Sequence, residues 1–342
     1  MLNPESQIPN PKQIPISNFQ NSKPKKFRHW VFGHWLLFGV WCLVLGICGC
    51  QSQHLYKDTR VMMGTFVEVT SSDKNAANIV FNEIKRIEGL LSKYKPDSEV
   101  SKLNKLGKLN ASPETFYIIK KAKEFWQMSG GAFDITVGPL MDLWGFTDKK
   151  YRLPTEDAIK NTLNFIGSDK IILHDDNNMI EFSLSGVKID LGAIAKGYAV
   201  DCAVKKLKEF GIKSCLINAG GQVYGLGDKF GRPWNIAIKD PRGEDLIAYL
   251  ELKNRSTATS GDYEQYFIKG GLRYSHILNP KTGYPADSGI ISVTVIAPDG
   301  LTADALSTAI FVLGKAKGSE LAKRFPNVKL MITEKENVSY NK

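Results

Sequence analysis

The body of this chain has almost no cysteine. Five occur in 342 residues, but Cys42, Cys48 and Cys50 crowd into the first fifty, leaving only Cys202 and Cys215. No Cys-x-x-Cys and no Cys/His cluster follows, which argues against the common zinc and iron–sulfur arrangements. Cys202 falls in a predicted helix and Cys215 in an apolar strand, so both read as core thiols. Both standard nucleotide fingerprints are missing too: no G-x-G-x-x-G opens a helix, and no G-x-x-x-x-G-K-[ST] occurs. Internal repeats, low-complexity tracts and long basic runs are also absent. The formal charge of +10 is partly a leader effect, since the first 49 residues hold five basic side chains against Glu5 alone. Beyond them the two signs are interspersed, so nucleic acid is not expected as a partner. With 43% hydrophobic and 23% charged residues, the remainder has an ordinary globular composition and can bury a sizeable core.

What the first fifty residues do contain reads as an address. A polar, basic leader precedes an apolar run from Trp30 to Gly49, and Leu45-Gly46-Ile47-Cys48-Gly49-Cys50 then meets polar Gln51. The small residue before Cys50 and the apolar one at the third position back resemble a bacterial lipobox. Residues 1–49 are therefore expected to be a signal peptide, Cys50 a lipidation site and 50–57 a lipidated tether. An uncleaved anchor is the alternative, because the run is near the length of a bilayer span. Either outcome places the body outside the cytoplasm, held at a membrane and facing the periplasm or the cell exterior.

Along the body, Met62 to Thr70 alternates as a strand and Asn75 to Leu91 repeats its apolar residues at helical spacing. Ser112-Pro113 opens a helix that Gly130-Gly131 closes, and Thr155 to Phe165 is a shorter one. Lys170–Leu173 and Met179–Leu184 read as a hairpin. A short strand from Val187 to Asp190 leads into a glycine turn and a helix from Ala193 to Phe210. Strands are expected at Ser214–Asn218, Trp234–Ile238, Ile247–Leu252 and Ile290–Ile296, with a final helix from about Thr302 to Leu313. Strands neighbour strands and helices come in blocks, which favours α+β over a regularly alternating parallel sheet. No linker divides the body, so a single domain with sub-lobes is expected over about 58–335, followed by a tail at 336–342.

Three constellations can carry chemistry. Asp190-Leu191-Gly192-Ala193-Ile194-Ala195-Lys196-Gly197 sets a carboxylate, backbone groups and one lysine around a strand–helix junction, a layout suited to a phosphorylated ligand and its cation. Asp304 and Thr308 lie four apart on one helix face and offer hard oxygens of the kind Mg²⁺ takes. The plainer reading is an acidic residue in a first helical turn and a threonine bonded back to its own helix. His276, at a strand end before Asn279-Pro280, suits a general base or a structural hydrogen-bonder equally. His174, beside Asp175 and Asp176, is more simply a turn residue.

Several further segments fall in a fixed order with these. They are Met63-Gly64-Thr65; Ser92-Lys93-Tyr94 with Asp97-Ser98-Glu99; Gly131 to Leu140; Asn218 to Gly221; Ala258 to Glu264; His276 to Gly283; and Ala303 to Ala309. Together with Asp190 to Asp201 they resemble the ApbE-type FAD:protein FMN transferases over roughly residues 56–335. The resemblance implies an α+β fold with a T-fold-like core that takes FAD and Mg²⁺. It implies transfer of FMN from FAD to a threonine hydroxyl of an acceptor protein, leaving AMP. By motif position Met63, Tyr94, Ala132, Phe133, Asp134, Asp190 and Lys196 would contact FAD, with the Tyr94 and Phe133 rings flanking a flavin or adenine ring. Asp304, Thr308 and the Ala193 carbonyl would hold Mg²⁺, and His276 matches the catalytic histidine. Asn279 stands where aspartate is usual and Ala193 where glycine is frequent. A Na⁺-pumping or Rnf-type redox subunit is the family-level expectation for the acceptor. Two other functions fit the same residues: an Mg²⁺-dependent FAD pyrophosphatase, and a flavin-binding lipoprotein without catalysis.

Overall fold

The computed structural model describes residues 54–334, so the expected signal peptide, Cys50 and the C-terminal tail lie outside the described residues. In chain order the elements are β1 (Tyr56–Met62), β2 (Thr65–Ser71), α1 (Ala76–Leu91), α2 (Glu99–Leu106), β3 (Lys108–Asn110), α3 (Pro113–Met128), α4 (Gly138–Trp144), α5 (Glu156–Leu163), β4 (Ile171–His174), β5 (Met179–Phe182), α6 (Ala195–Glu209), β6 (Cys215–Ala219), β7 (Gln222–Leu226), β8 (Trp234–Lys239), β9 (Leu246–Leu252), β10 (Arg255–Gly261), β11 (Tyr266–Lys269), β12 (Leu272–Ser275), β13 (Ile290–Ala297), α7 (Gly300–Leu313), α8 (Lys315–Ala322) and β14 (Lys329–Glu334).

Seven strands form one antiparallel sheet in the order β1-β2-β6-β7-β10-β13-β14. Helix α6 packs between α1 and α7, and α7 lies against β10 and β13. Val293 and Val295 of β13 join Leu306 and Ile310 of α7 in the main core. Val223 and Ile296 instead meet Trp234 and Leu252 from the β8–β9 hairpin, in a separate cluster. The near-continuous apolar run Ile290-Ile291-Ser292-Val293-Thr294-Val295-Ile296 follows from that double cover, and each fully buried aliphatic side chain contributes about 1.5–3 kcal/mol. The segregated antiparallel sheet and helices make the fold α+β, as the sequence order suggested.

Four local expectations need correction. Residues 62–70 are not one strand but the join of two, with Met63 at φ 50° and Gly64 at φ 73° forming a two-residue hairpin turn. That turn needs positive φ at both central positions, which methionine disfavours and Asn-Gly would have signalled. Here the Met63 N–H is held by Glu88 Oε1 at 2.8 Å. Tyr56 and Lys57, expected in the tether, already pair in β1. Residues 187–190 are not a sheet strand. Their neighbour is a side chain: Asn104 accepts from the Ile189 N–H at 2.7 Å and donates to the Ile189 carbonyl at 2.9 Å. Finally, α7 is not the last element, because α8 and β14 follow it.

The crossing of α6 and α7 is unusually close. A Cβ on Gly197 would lie 2.1 Å from the Gly300 carbonyl oxygen, and one on Gly300 would lie 2.6 Å from the Gly197 carbonyl oxygen. Both obstacles are backbone, so neither can turn aside. Gly197→Ala is expected to destabilise the fold by about 1–3 kcal/mol, read as a lower urea midpoint. An unchanged midpoint would mean that the helices separate at no cost.

Candidate active site

The junction around Asp190 is built by bonds that reach across the chain. The Asp190 N–H donates to the Ile135 carbonyl at 2.7 Å, and its Oδ1 accepts from the Gly192 N–H at 2.9 Å, closing the turn. Its Oδ2 lies 2.7 Å from Lys93 Nζ in an ion pair whose side chains are only 10% and 15% exposed. Burial pulls the Lys93 ammonium down, but the Asp190 charge outweighs it and the net shift is upward. Lys93 also donates to Thr147 Oγ1 at 2.9 Å.

Lys196, on the first turn of α6, is the hub. Its Nζ donates to the Gly192 carbonyl at 3.0 Å and lies 3.6 Å from Asp304 Oδ1. Burial opposes its charge, yet Asp304, Glu264 and Asp190 together raise its pKa. Asp304 is 5% exposed and sits in the second turn of α7, which removes the plainer reading of a first-turn acid. Its Oδ2 accepts from the Gly197 N–H at 3.0 Å. Gly197 is the third residue of α6, whose first-turn N–H groups have no acceptor within the helix, and Asp304 caps this one. Ala193 lies in the turn before α6, and among the described residues no backbone N–H donates to its carbonyl. Thr308 Oγ1 is 3.2 Å from Ser260 Oγ and donates back to the Asp304 carbonyl at 3.4 Å, as the plainer reading expected of the threonine, both loose contacts. A buried carboxylate, a loosely bonded hydroxyl and an undonated carbonyl are the hard oxygen donors that Mg²⁺ takes, so these residues fit the expected ion.

His276 follows β12 and is half-buried. Its Nδ1 lies 3.1 Å from the Gln265 carbonyl oxygen, which can only accept, so Nδ1 carries the hydrogen and Nε2 keeps a lone pair. Burial, chiefly, and Lys196 push its pKa down to about 4, against the Gln265 carbonyl and Asp190. A folded value below the ordinary 6.5 means the neutral ring stabilises the fold above that pH, a contribution lost as pH falls through about 4. In the FAD-free chain the His276 ring protons are expected to titrate near 4 by NMR. A midpoint at 6 or above would contradict this environment. At Glu264 burial, foremost, and Asp304 push the carboxyl up to about 7 against Lys196.

The remaining expected residues divide. Met63 is tied to the 92–95 turn, because Glu88 takes both its N–H and, at 2.7 Å, Lys95 Nζ. Tyr94 is 66% exposed, and Lys93 Nζ lies 5.2 Å from the centroid of its ring. Ala132 and Phe133 are 5% and 1% exposed, and the Phe133 ring packs 5.9 Å from Phe125 in the main core. The stacking expected of Phe133 is therefore not available to its ring, which the core already uses. Asp134 is spent internally: it accepts from the Thr136 N–H and hydroxyl and from the Ser168 N–H and hydroxyl at 2.7–3.1 Å. These two side chains hold the 131–138 loop in shape. Lys281 meets that loop, its Cε 3.6 Å from a Cβ built on Gly131, so the Gly131 and His276 segments adjoin. Lys93, Asn104, Ser260 and Glu264 stand in or beside the quoted segments, but their roles depend on partners up to 97 residues away.

The comparisons agree with this geometry. A family model described as the ApbE family matches residues 63–332. The FAD:protein FMN transferase of Haemophilus influenzae is 34% identical over 308 residues, covering 82% of this chain and 88% of its own. That of Treponema pallidum is 30% identical over 326 residues, with 86% and 90% covered. Among solved structures, the ApbE protein of Thermotoga maritima superposes with a TM-score of 0.77 at 41% identity, covering 82% of this chain and 94% of its own. The flavin transferase ApbE of Vibrio cholerae gives 0.74 at 27% identity, with 83% and 94% covered.

Proposed function

The chain belongs to the ApbE family, and from that premise we propose that it is an Mg²⁺-dependent FAD:protein FMN transferase. The observation that supports the reading is the buried Asp304 carboxylate, which caps the Gly197 N–H at the start of α6 and lies 3.6 Å from Lys196 Nζ. Bound by Asp304, Thr308 and the Ala193 carbonyl, Mg²⁺ would neutralise diphosphate charge. Lys196 adds a permanent positive charge, and Asp190, locked by Lys93, fixes the turn that lines the ligand. The acceptor threonine oxygen forms a bond to the FMN phosphorus of FAD, and the bond from that phosphorus to the AMP oxygen breaks. AMP leaves as the monoester, and the threonine proton passes to His276 Nε2, the nitrogen its Gln265 contact leaves unprotonated. Exposed Tyr94 offers a ring for stacking, and Met63 a soft apolar contact.

The test combines protein, FAD, Mg²⁺ and an acceptor bearing a Ser-Gly-Ala-Thr segment. Flavin fluorescence on the acceptor in a denaturing gel supports transfer. AMP and FMN without labelled acceptor would make the chain a hydrolase, and unchanged FAD a binding protein. We further propose that Cys50 carries lipid at a membrane facing the periplasm or the cell exterior. Among the described residues no helix is long and apolar enough to cross a membrane. Cys50→Ser is expected to move the protein to the soluble fraction; continued sedimentation with membranes would favour an uncleaved anchor.

A further inference from the structure

Helices α6 and α7 carry the same short pattern where they cross: Gly197-Tyr198-Ala199-Val200-Asp201 and Gly300-Leu301-Thr302-Ala303-Asp304. Each glycine backbone blocks the other, and each glycine N–H donates to the aspartate of the opposite helix. Gly197 donates to Asp304 Oδ2 at 3.0 Å, and Gly300 to Asp201 Oδ1 at 2.6 Å. Leu301 N–H adds a bond to Asp201 Oδ2 at 2.8 Å. The crossing is therefore reciprocal in its bonding, while the surroundings of the two carboxylates differ. Asp304 faces Lys196. Asp201 lies instead in the wall of a separate cavity of about 650 Å³, with Tyr117, Asp299 and Thr302.

We infer that Asp201 is a positioning residue for Asp304, acting through this clamp; the inference rests on the metal reading above. The first turn of any helix leaves its N–H groups without helical partners. In α7 the Thr302 N–H is taken by Asp299 at 2.8 Å, and those of Gly300 and Leu301 by Asp201. Both carboxylate oxygens of one α6 side chain thus set the rotation and height of α7. A helix is stiff, so the register imposed at Gly300 is inherited by Asp304 one turn on. Without Asp201 the first turn must seek other acceptors, and Asp304 moves with it. The Gly197 N–H then loses its cap, and the site loses its one carboxylate donor.

The test measures Mn²⁺ affinity of the full-length protein by the loss of the free-ion EPR signal, with FAD quenching recorded separately without metal. Asp201→Asn keeps one acceptor but turns an NH₂ toward the other amide. It is expected to weaken Mn²⁺ binding about 5- to 30-fold, and Asp201→Ala more, with metal-free FAD binding unchanged. Val204→Ala, on the next turn of α6 and 4% exposed, controls for lost stability and should bind Mn²⁺ like the wild type. If Asp201→Ala does not fold, Asp201→Asn carries the comparison. Wild-type affinity in Asp201→Asn, or an equal loss in Val204→Ala, overturns the positioning role and leaves the metal reading intact. A wild-type protein that binds no Mn²⁺ overturns the metal reading and this inference with it.

Discussion

Asp304→Ala is expected to lower FMN transfer by about 10³-fold or more at saturating Mg²⁺, with a modest loss of thermal stability. The first half follows from chemistry: Asp304 is the one carboxylate among the three expected metal donors, and metal stabilisation of a phosphoryl transition state is worth several kcal/mol. The second half follows from the capped amide. Truncating a buried acceptor strands its donor at a cost of about 1–3 kcal/mol, and the Gly197 N–H, in the first turn of α6, has no acceptor within its own helix to turn to. Initial rates of acceptor labelling and a thermal melt on one preparation check both halves. Activity within tenfold of wild type would end the metal assignment, and an unchanged melting temperature would show that the Gly197 N–H finds another partner.

The second large effect belongs to His276. Exchange for glutamine keeps an amide N–H that can still donate to the Gln265 carbonyl, but it supplies no basic nitrogen. Loss of a positioned general base typically costs ~10²–10⁴ in rate. His276→Gln is expected to lose transfer within that range while FAD binding, followed by flavin quenching, stays near the wild-type value. A variant that kept transfer intact would leave His276 with its structural bond to Gln265 alone. One that lost FAD binding as well would place it in substrate recognition.

How much of this could be read in advance depended on how far each contact reaches along the chain. Helices with local signals were legible: Ser112 accepts from Thr115 N–H just ahead of Pro113, and Gly211 at φ 74° follows α6 where a closing glycine was expected. The donors Asp304 and Thr308 share one helix face, which spacing alone predicts. The turn at Met63-Gly64 was hidden because its geometry is imposed by Glu88, 25 residues away, rather than by its own residue types. The extended segment at Ile189 was mistaken for a strand because its partner is the Asn104 side chain, 85 residues away. Phe133 and Asp134 match the family pattern by position, but only packing shows that their side chains serve the loop. The pairing of Asp201 with Gly300 spans 99 residues, and nothing local to either end announces it.

The two thiols of the body give the fold one more property. Cys202 is held up to about 11 and Cys215 up to about 12, burial being the chief cause in both. At neutral pH the sulfur nucleophile is the thiolate, and a thiol near 11 is ionised in only about one molecule in ten thousand. Neither sulfur is therefore equipped to attack a disulfide, open a mixed-disulfide exchange or begin the climb to sulfenic acid. A folded body of this kind could pass through an oxidising compartment with both cysteines reduced and needs no bridge to hold it together there.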